Sequence, residues 1–130
     1  VLYPGKSSLN LSQLSIDEKK GLFPKNKNLV IFVVDGTWST AKQTMRLSKN
    51  LKDLPRLSFE PSRLSNFRVR KQPSSECLST IEAIHETIEL LGEIKGLDPQ
   101  RRVHDNLLHV FNYMVEMQLA FCPDRLTRSM

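Results

Sequence analysis

LVIFVVDGTWSTAK, residues 29–42, is the stretch whose reading decides the fold. Leu29 to Val34 is continuously apolar, and the run then stops on Asp35, Gly36, Thr37 and Trp38, the only tryptophan in the chain. A short unbroken apolar run is the pattern of a central strand covered on both faces. The residues beyond it predict a helix that starts near Thr37 or Ser39 and runs to about Asn50, since either hydroxyl can cap the first free N–H groups. Trp38, Ala41 and Met45 share one face of that helix, and Lys42, Arg46 and Lys49 form a stripe beside it.

In open α/β sheets ligands bind beyond the carboxyl ends of the strands, and Asp35 stands at such an end. Gly36 permits a sharp turn and close backbone approach. Thr37 lies near a helix N-terminus, where anions are favoured. Trp38 can pack the helix on the sheet or stack on a flat ligand. Spacing alone leaves a structural reading equally open: Asp35 as helix cap, Gly36 as turn, Trp38 as core.

Working outward, Leu9 to Lys20 reads as a loop or short helix, and Gly21 to Asn28 as a turn-rich connection. Leu57 to Glu60 and Phe67 to Arg70 alternate as half-buried strands do, with Phe67 and Val69 opposite Arg68 and Arg70. Ser79-Thr80-Ile81-Glu82 is a capping box that opens a helix to about Gly92, with Ile81, Ile84, Ile88 and Leu91 as its core face. Asp98-Pro99 predicts another helix start. Val103, Leu107, Val110, Phe111, Met114 and Val115 give that helix a wide apolar face up to about Phe121. Strand, helix, strands, helix, helix is an α/β order.

The 130 residues suffice for one compact core. At 39% hydrophobic the chain is not a disordered tail, and no apolar run nears the roughly 20 residues of a membrane span. The start, Val1-Leu2-Tyr3-Pro4-Gly5, has no signal-peptide pattern and reads as the end of a strand. Cys77 and Cys122 are isolated, which suits a reducing cytoplasm. The net charge of +5 favours an anionic partner. His85-Glu86 begins an H-E-x-x-H motif that fails at Glu89, and His104 and His109 lack i, i+4 spacing, so no metal is expected.

Three segments carry a family resemblance. Asp35-Gly36-Thr37-Trp38-Ser39-Thr40-Ala41 resembles the D-x-T-W signature of the DTW-domain family. Arg70-Lys71-Gln72-Pro73 with Leu78-Ser79-Thr80-Ile81-Glu82-Ala83 resembles its R-x-Q-P and L-S-T-x-E-A. Leu2-Tyr3-Pro4-Gly5 is similar to the family's upstream L-Y-P-G, and all three occur in family order.

The resemblance implies an α/β fold with a SPOUT-like open, mostly parallel sheet flanked by helices, knotted or not. It implies a tRNA-uridine aminocarboxypropyltransferase, which moves the 3-amino-3-carboxypropyl group of S-adenosylmethionine to N3 of a uridine in the D-loop or variable loop of tRNA. Asp35 is then the general base or uracil-positioning group. Leu2, Tyr3, Pro4, Gly36, Leu78, Ser79 and Thr80 are the expected cofactor contacts. Thr37, Trp38, Lys42, Arg46 and Arg70 are the expected RNA contacts. The family's N-T-G-R-type motif and cysteine cluster are not in this sequence, so residues 1–130 are expected to be a single domain, the C-terminal portion of a DTW domain. A SPOUT-type S-adenosylmethionine-dependent RNA methyltransferase and a non-catalytic RNA-binding module are the competing expectations.

Overall fold

The computed structural model describes residues 1–69 and 77–121. The chain forms two compact units: Val1–Glu60 with Leu90–Leu97, and Pro61–Glu89 with the chain from Asp98 onward. The fold is mixed α/β, and among the described residues its regular sheet is one short parallel pair.

In the first unit, strand β1 (Leu9–Asn10) pairs in parallel with β2 (Leu57–Ser58), with Leu9 opposite Leu57 and Asn10 opposite Ser58. Leu2 extends the arrangement through single parallel bridges to Leu57 and Val33. The Leu2 N–H donates to the Phe32 carbonyl at 2.9 Å, and the Tyr3 N–H donates to the Leu57 carbonyl at 2.9 Å. Leu11, Leu57, Leu91 and Ile94 form the buried centre, with Leu2, Leu9, Leu29, Ile31 and Phe59 packed on it. Each such leucine or isoleucine, once fully buried, stabilises the unit by about 1.5–3 kcal/mol.

The 29–34 stretch is therefore not a strand covered on both faces. Only Val33 makes a bridge, and Val30 and Phe32 are 73% and 51% exposed while Leu29 and Ile31 face the core. The run is apolar throughout, but the core of this unit covers only the Leu29 and Ile31 face.

Helix α1 (Ile16–Leu22) has a complete capping box between Ser15 and Glu18. Helix α2 (Trp38–Leu47) is capped by Thr37 and buries Ala41 and Met45, with Trp38 half-buried on the same face. It ends at Ser48, before the expected Asn50, and the single turn α3 (Lys49–Lys52) follows.

In the second unit, α4 (Thr80–Leu91) begins at the expected capping box, and its last two residues enter the first unit's core. Leu91 is buried as expected, but Glu82, His85 and Glu86 are also buried, while Ile84 and Ile88 are only half-buried. Helix α5 (Asp105–Phe121) buries Leu108, Phe111, Val115 and Leu119, against which Phe67, Val69 and Ile81 pack. The ring of Phe67 meets Phe111 edge-on, with centroids 5.4 Å apart.

The helix expected from Asp98 is broken. Asp98 caps only a 3-10 turn, Pro99–Arg101, and Arg102 then takes a left-handed conformation at φ 54°. Val103 lies before α5 and is exposed; Val110 and Met114 lie within α5 but off its buried stripe of Leu108, Phe111, Val115 and Leu119, and are exposed too. Phe67 and Val69 do face inward and Arg68 outward, where it pairs with Glu116, but this stretch is a turn. Arg70 to Pro73, and with them the R-x-Q-P segment, lie outside the described residues.

Candidate active site

The junction of Asp35 to Thr40 is built by a glycine and a cap. Gly36 has φ +125°, a conformation that L side chains rarely adopt. Thr37 Oγ1 accepts from the Thr40 N–H at 3.2 Å and lies 2.9 Å from the Thr40 hydroxyl. The Thr37 carbonyl accepts the Ala41 N–H at 2.8 Å, so the N-cap of α2 is Thr37 and not Asp35. Asp35 is exposed two residues beyond the Val33 bridge. The bridge is parallel, so Tyr3 and Pro4 leave Leu2 in the direction that Val34 and Asp35 leave Val33.

The first unit thus brings two of the three motif segments side by side. Tyr3 is half-buried, with the Arg56 guanidinium 5.4 Å from its ring centroid. Lys42, Arg46 and Lys49 are all exposed, Lys42 and Arg46 on α2 and Lys49 on α3. Among the described residues no ion pair involves any of the three.

The second unit holds Leu78, Ser79 and Thr80, all half-buried at the start of α4. Ser79 is committed to Glu82. Its N–H donates to Glu82 Oε1 at 3.0 Å, its hydroxyl donates to the same oxygen at 2.7 Å, and the Glu82 N–H reaches back to Ser79 Oγ at 3.4 Å. Glu82 also accepts from the Ser65 hydroxyl at 2.6 Å and the Asn66 N–H at 2.8 Å. Burial alone would push the Glu82 carboxyl up; the hydrogen bonds from Ser65, Ser79 and the Asn66 N–H outweigh it and hold it below the ordinary carboxylate value.

A second polar cluster lies in the same unit, where sequence spacing gave no signal. The Arg63 guanidinium can only donate, so His85 Nδ1, at 2.8 Å, accepts. The His85 proton is then on Nε2, which donates to Asp105 Oδ1 at 2.8 Å. His104 Nε2 lies 2.6 Å from Glu89 Oε1, and the two imidazoles sit 4.7 Å apart. Arg102 binds Asp105 through two nitrogens, at 2.9 and 2.7 Å, and Glu89 at 2.5 Å. These bonds from Arg102 and His85 hold Asp105 far below the usual carboxylate range, and Glu89 is lowered in the same way by Arg102 and His104 against its desolvation.

One atom each from His85, Glu89, His104 and Asp105 lies within 4.8 Å of the others, close enough to share a metal ion. The hydrogen bonding does not suit one. A metal on His85 Nε2 would move the proton to Nδ1, which already faces the Arg63 donor; metal-bound histidines present that N–H to an acceptor. Arg102 already pairs with both carboxylates.

A D-G-T-W junction leading into a capped helix, with L-S-T-x-E-A opening another helix, defines the class. The chain belongs to the DTW-domain family, whose domain matches residues 1–119. It is 26% identical over 119 residues to tRNA-uridine aminocarboxypropyltransferase 2 of Macaca fascicularis, covering 92% of this chain and 36% of that protein. It is 30% identical over 91 residues to the protein of the same name from Mus musculus, covering 70% of this chain and 28% of the mouse protein. The Drosophila melanogaster protein of that name is 29% identical over 91 residues, covering 70% of this chain and 33% of the fly protein. The chain thus spans about a third of the length of the curated relatives it matches. No solved structure matches it. No helix among the described residues is long and apolar enough to cross a membrane.

Proposed function

We propose that this chain is the C-terminal portion of a tRNA-uridine aminocarboxypropyltransferase that acts in the cytoplasm, its parallel segments part of a SPOUT-like sheet. The observation that carries the reading is the D-G-T-W turn. Its cap position is filled by Thr37, its glycine holds a conformation suited to glycine, and its acid is exposed at the junction. The cap of α2 is supplied by Thr37, so the exposed carboxylate of Asp35 is not spent on capping that helix.

S-adenosylmethionine carries a flat adenine, a sulfonium and an amino-acid end. The half-buried Tyr3 and Leu78 and the polar Ser79 and Thr80 are groups of the chemistry such a molecule requires. Leu2, Pro4 and Gly36 complete the proposed contact set. When bound, S-adenosylmethionine supplies the electrophile: its γ-carbon–sulfur bond breaks as the carbon–N3 bond forms, and the electron pair stays on the sulfur of methylthioadenosine. The Asp35 carboxylate takes the N3 proton of the uracil. Thr37 and Trp38 flank the base, and Lys42, Arg46 and Arg70 hold phosphates of the D-loop or variable loop.

The full-length protein, unmodified tRNA and S-adenosylmethionine test this directly. The expected products are methylthioadenosine and a uridine heavier by the aminocarboxypropyl group. S-adenosylhomocysteine with a methylated nucleoside would replace this reading with that of a methyltransferase. Binding of tRNA without any product would reduce it to an RNA-binding module.

A further inference from the structure

Among the described residues, the capping boxes of α1 and α4 differ. At α1, Glu18 is exposed and makes only the reciprocal contacts of the box: Ser15 N–H to Glu18 at 3.0 Å and Glu18 N–H to Ser15 at 3.2 Å. At α4, Glu82 is 3% exposed and its carboxylate accepts four hydrogen bonds. Two of them come from Ser65 and Asn66, which have no part in capping α4. A helix start needs no buried carboxylate, as α1 demonstrates. Burying one is unfavourable unless it is fully hydrogen-bonded, and among the described residues no Lys, Arg or His forms an ion pair with it.

We propose that Glu82 is a positioning residue, whose carboxylate fixes Leu78–Thr80 in the shape that receives S-adenosylmethionine by tying Ser79 to the Ser65–Asn66 segment. The proposal rests on the reading of Leu78–Thr80 as a contact for S-adenosylmethionine. Ser79 is held at both its N–H and its hydroxyl, which restrains the backbone on either side of it. Ser65 and Asn66 brace the other side of the same carboxylate. The acid is needed as such. Three donors meet at Oε1 and one at Oε2, and the amide nitrogen of a glutamine in either place would face a donor.

The experiment uses the full-length protein as parent, Glu82→Gln and Ser65→Ala. Circular dichroism reads the fold, and calorimetric titration reads affinity for S-adenosylmethionine and, separately, for unmodified tRNA. Small misplacement of a binding segment is enough to weaken a ligand strongly. Folded Glu82→Gln is expected to bind S-adenosylmethionine about tenfold or more weakly, with tRNA affinity within about twofold of the parent. Ser65→Ala removes one brace of Glu82 and is expected to act in the same direction to a smaller extent. In turnover the loss should appear in KM for S-adenosylmethionine rather than in kcat. A folded Glu82→Gln with parental affinity overturns the proposal. If Glu82→Gln does not fold, Ser65→Ala decides by the same two titrations, parental affinity again overturning it. A parent that binds no S-adenosylmethionine overturns the underlying reading and this proposal with it, an outcome distinct from equal binding by parent and variants.

Discussion

Replacing Gly36 by alanine puts a Cβ into a tight space on an unfavourable backbone conformation. At φ +125° an L-residue is strained by about 1–3 kcal/mol. The new Cβ would also lie 3.2 Å from both Cβ and Cγ2 of Thr40. Thr40 cannot yield without cost, because its N–H and hydroxyl are the partners of the Thr37 cap. Loss of such a cap is worth about 1 kcal/mol. Against this, alanine restricts the unfolded chain by about 0.4–1 kcal/mol, so the net destabilisation is about 1–3 kcal/mol. Gly21→Ala is the matched control. Gly21 lies within α1 with nothing inside 4 Å of its built Cβ, and alanine there should stabilise by about 0.5–1 kcal/mol. Urea unfolding of parent and both variants measures the difference. Equal midpoints for Gly36→Ala and Gly21→Ala would refute the reasoning about the D-G-T-W turn.

Two further outcomes are expected. If Lys42, Arg46 and Lys49 meet phosphates, the triple alanine variant will bind tRNA more weakly and its affinity will fall less steeply with salt, by up to three charges' worth of slope; an unchanged slope removes them from the interface. Glu82, Glu89 and Asp105 all have folded pKa values below their ordinary ones, so the native form holds fewer protons in acid than the unfolded chain. Their stabilisation is complete above the unfolded carboxylate value of 4.5 for Glu and is lost as pH falls through the lowered folded values. Unfolding free energy measured from pH 7 downward should therefore drop below about 4.5, and Glu82→Gln should flatten that drop.

What could be read from the sequence was local. A hydroxyl cap at Thr37 or Ser39, of which the structure uses Thr37, the shared face of Ala41 and Met45, which are buried, and the Ser79–Glu82 box depend on residues within a turn or two of each other. The 29–34 run was misleading because apolarity reports only that a surface could be covered, not which neighbours cover it. The expected helix from Asp98 fails at Arg102, whose left-handed backbone is uncommon for a non-glycine residue; its guanidinium is engaged with Asp105 and Glu89. The His85–His104 cluster had no sequence signal, since its members come from the 61–66 segment, α4, the stretch before α5 and the first residue of α5, and meet only through tertiary packing. Equally, spacing could show that Ile84 and Ile88 share a face with Ile81, but not that Glu82, His85 and Glu86 would be the more deeply buried.

The central claim is that Asp35 acts as an acid–base group and not as part of the scaffold, and Asp35→Asn in the full-length protein tests it most directly. Asparagine keeps the shape and can still accept a hydrogen bond, while α2 keeps its own cap on Thr37. It cannot take the N3 proton at neutral pH. Loss of a general base lowers rates by about 10²–10⁴-fold. Single-turnover transfer from S-adenosylmethionine to tRNA should therefore fall at least about a hundredfold, with the melting temperature and the S-adenosylmethionine affinity close to the parent's. Transfer at the parental rate by the folded variant would contradict the account.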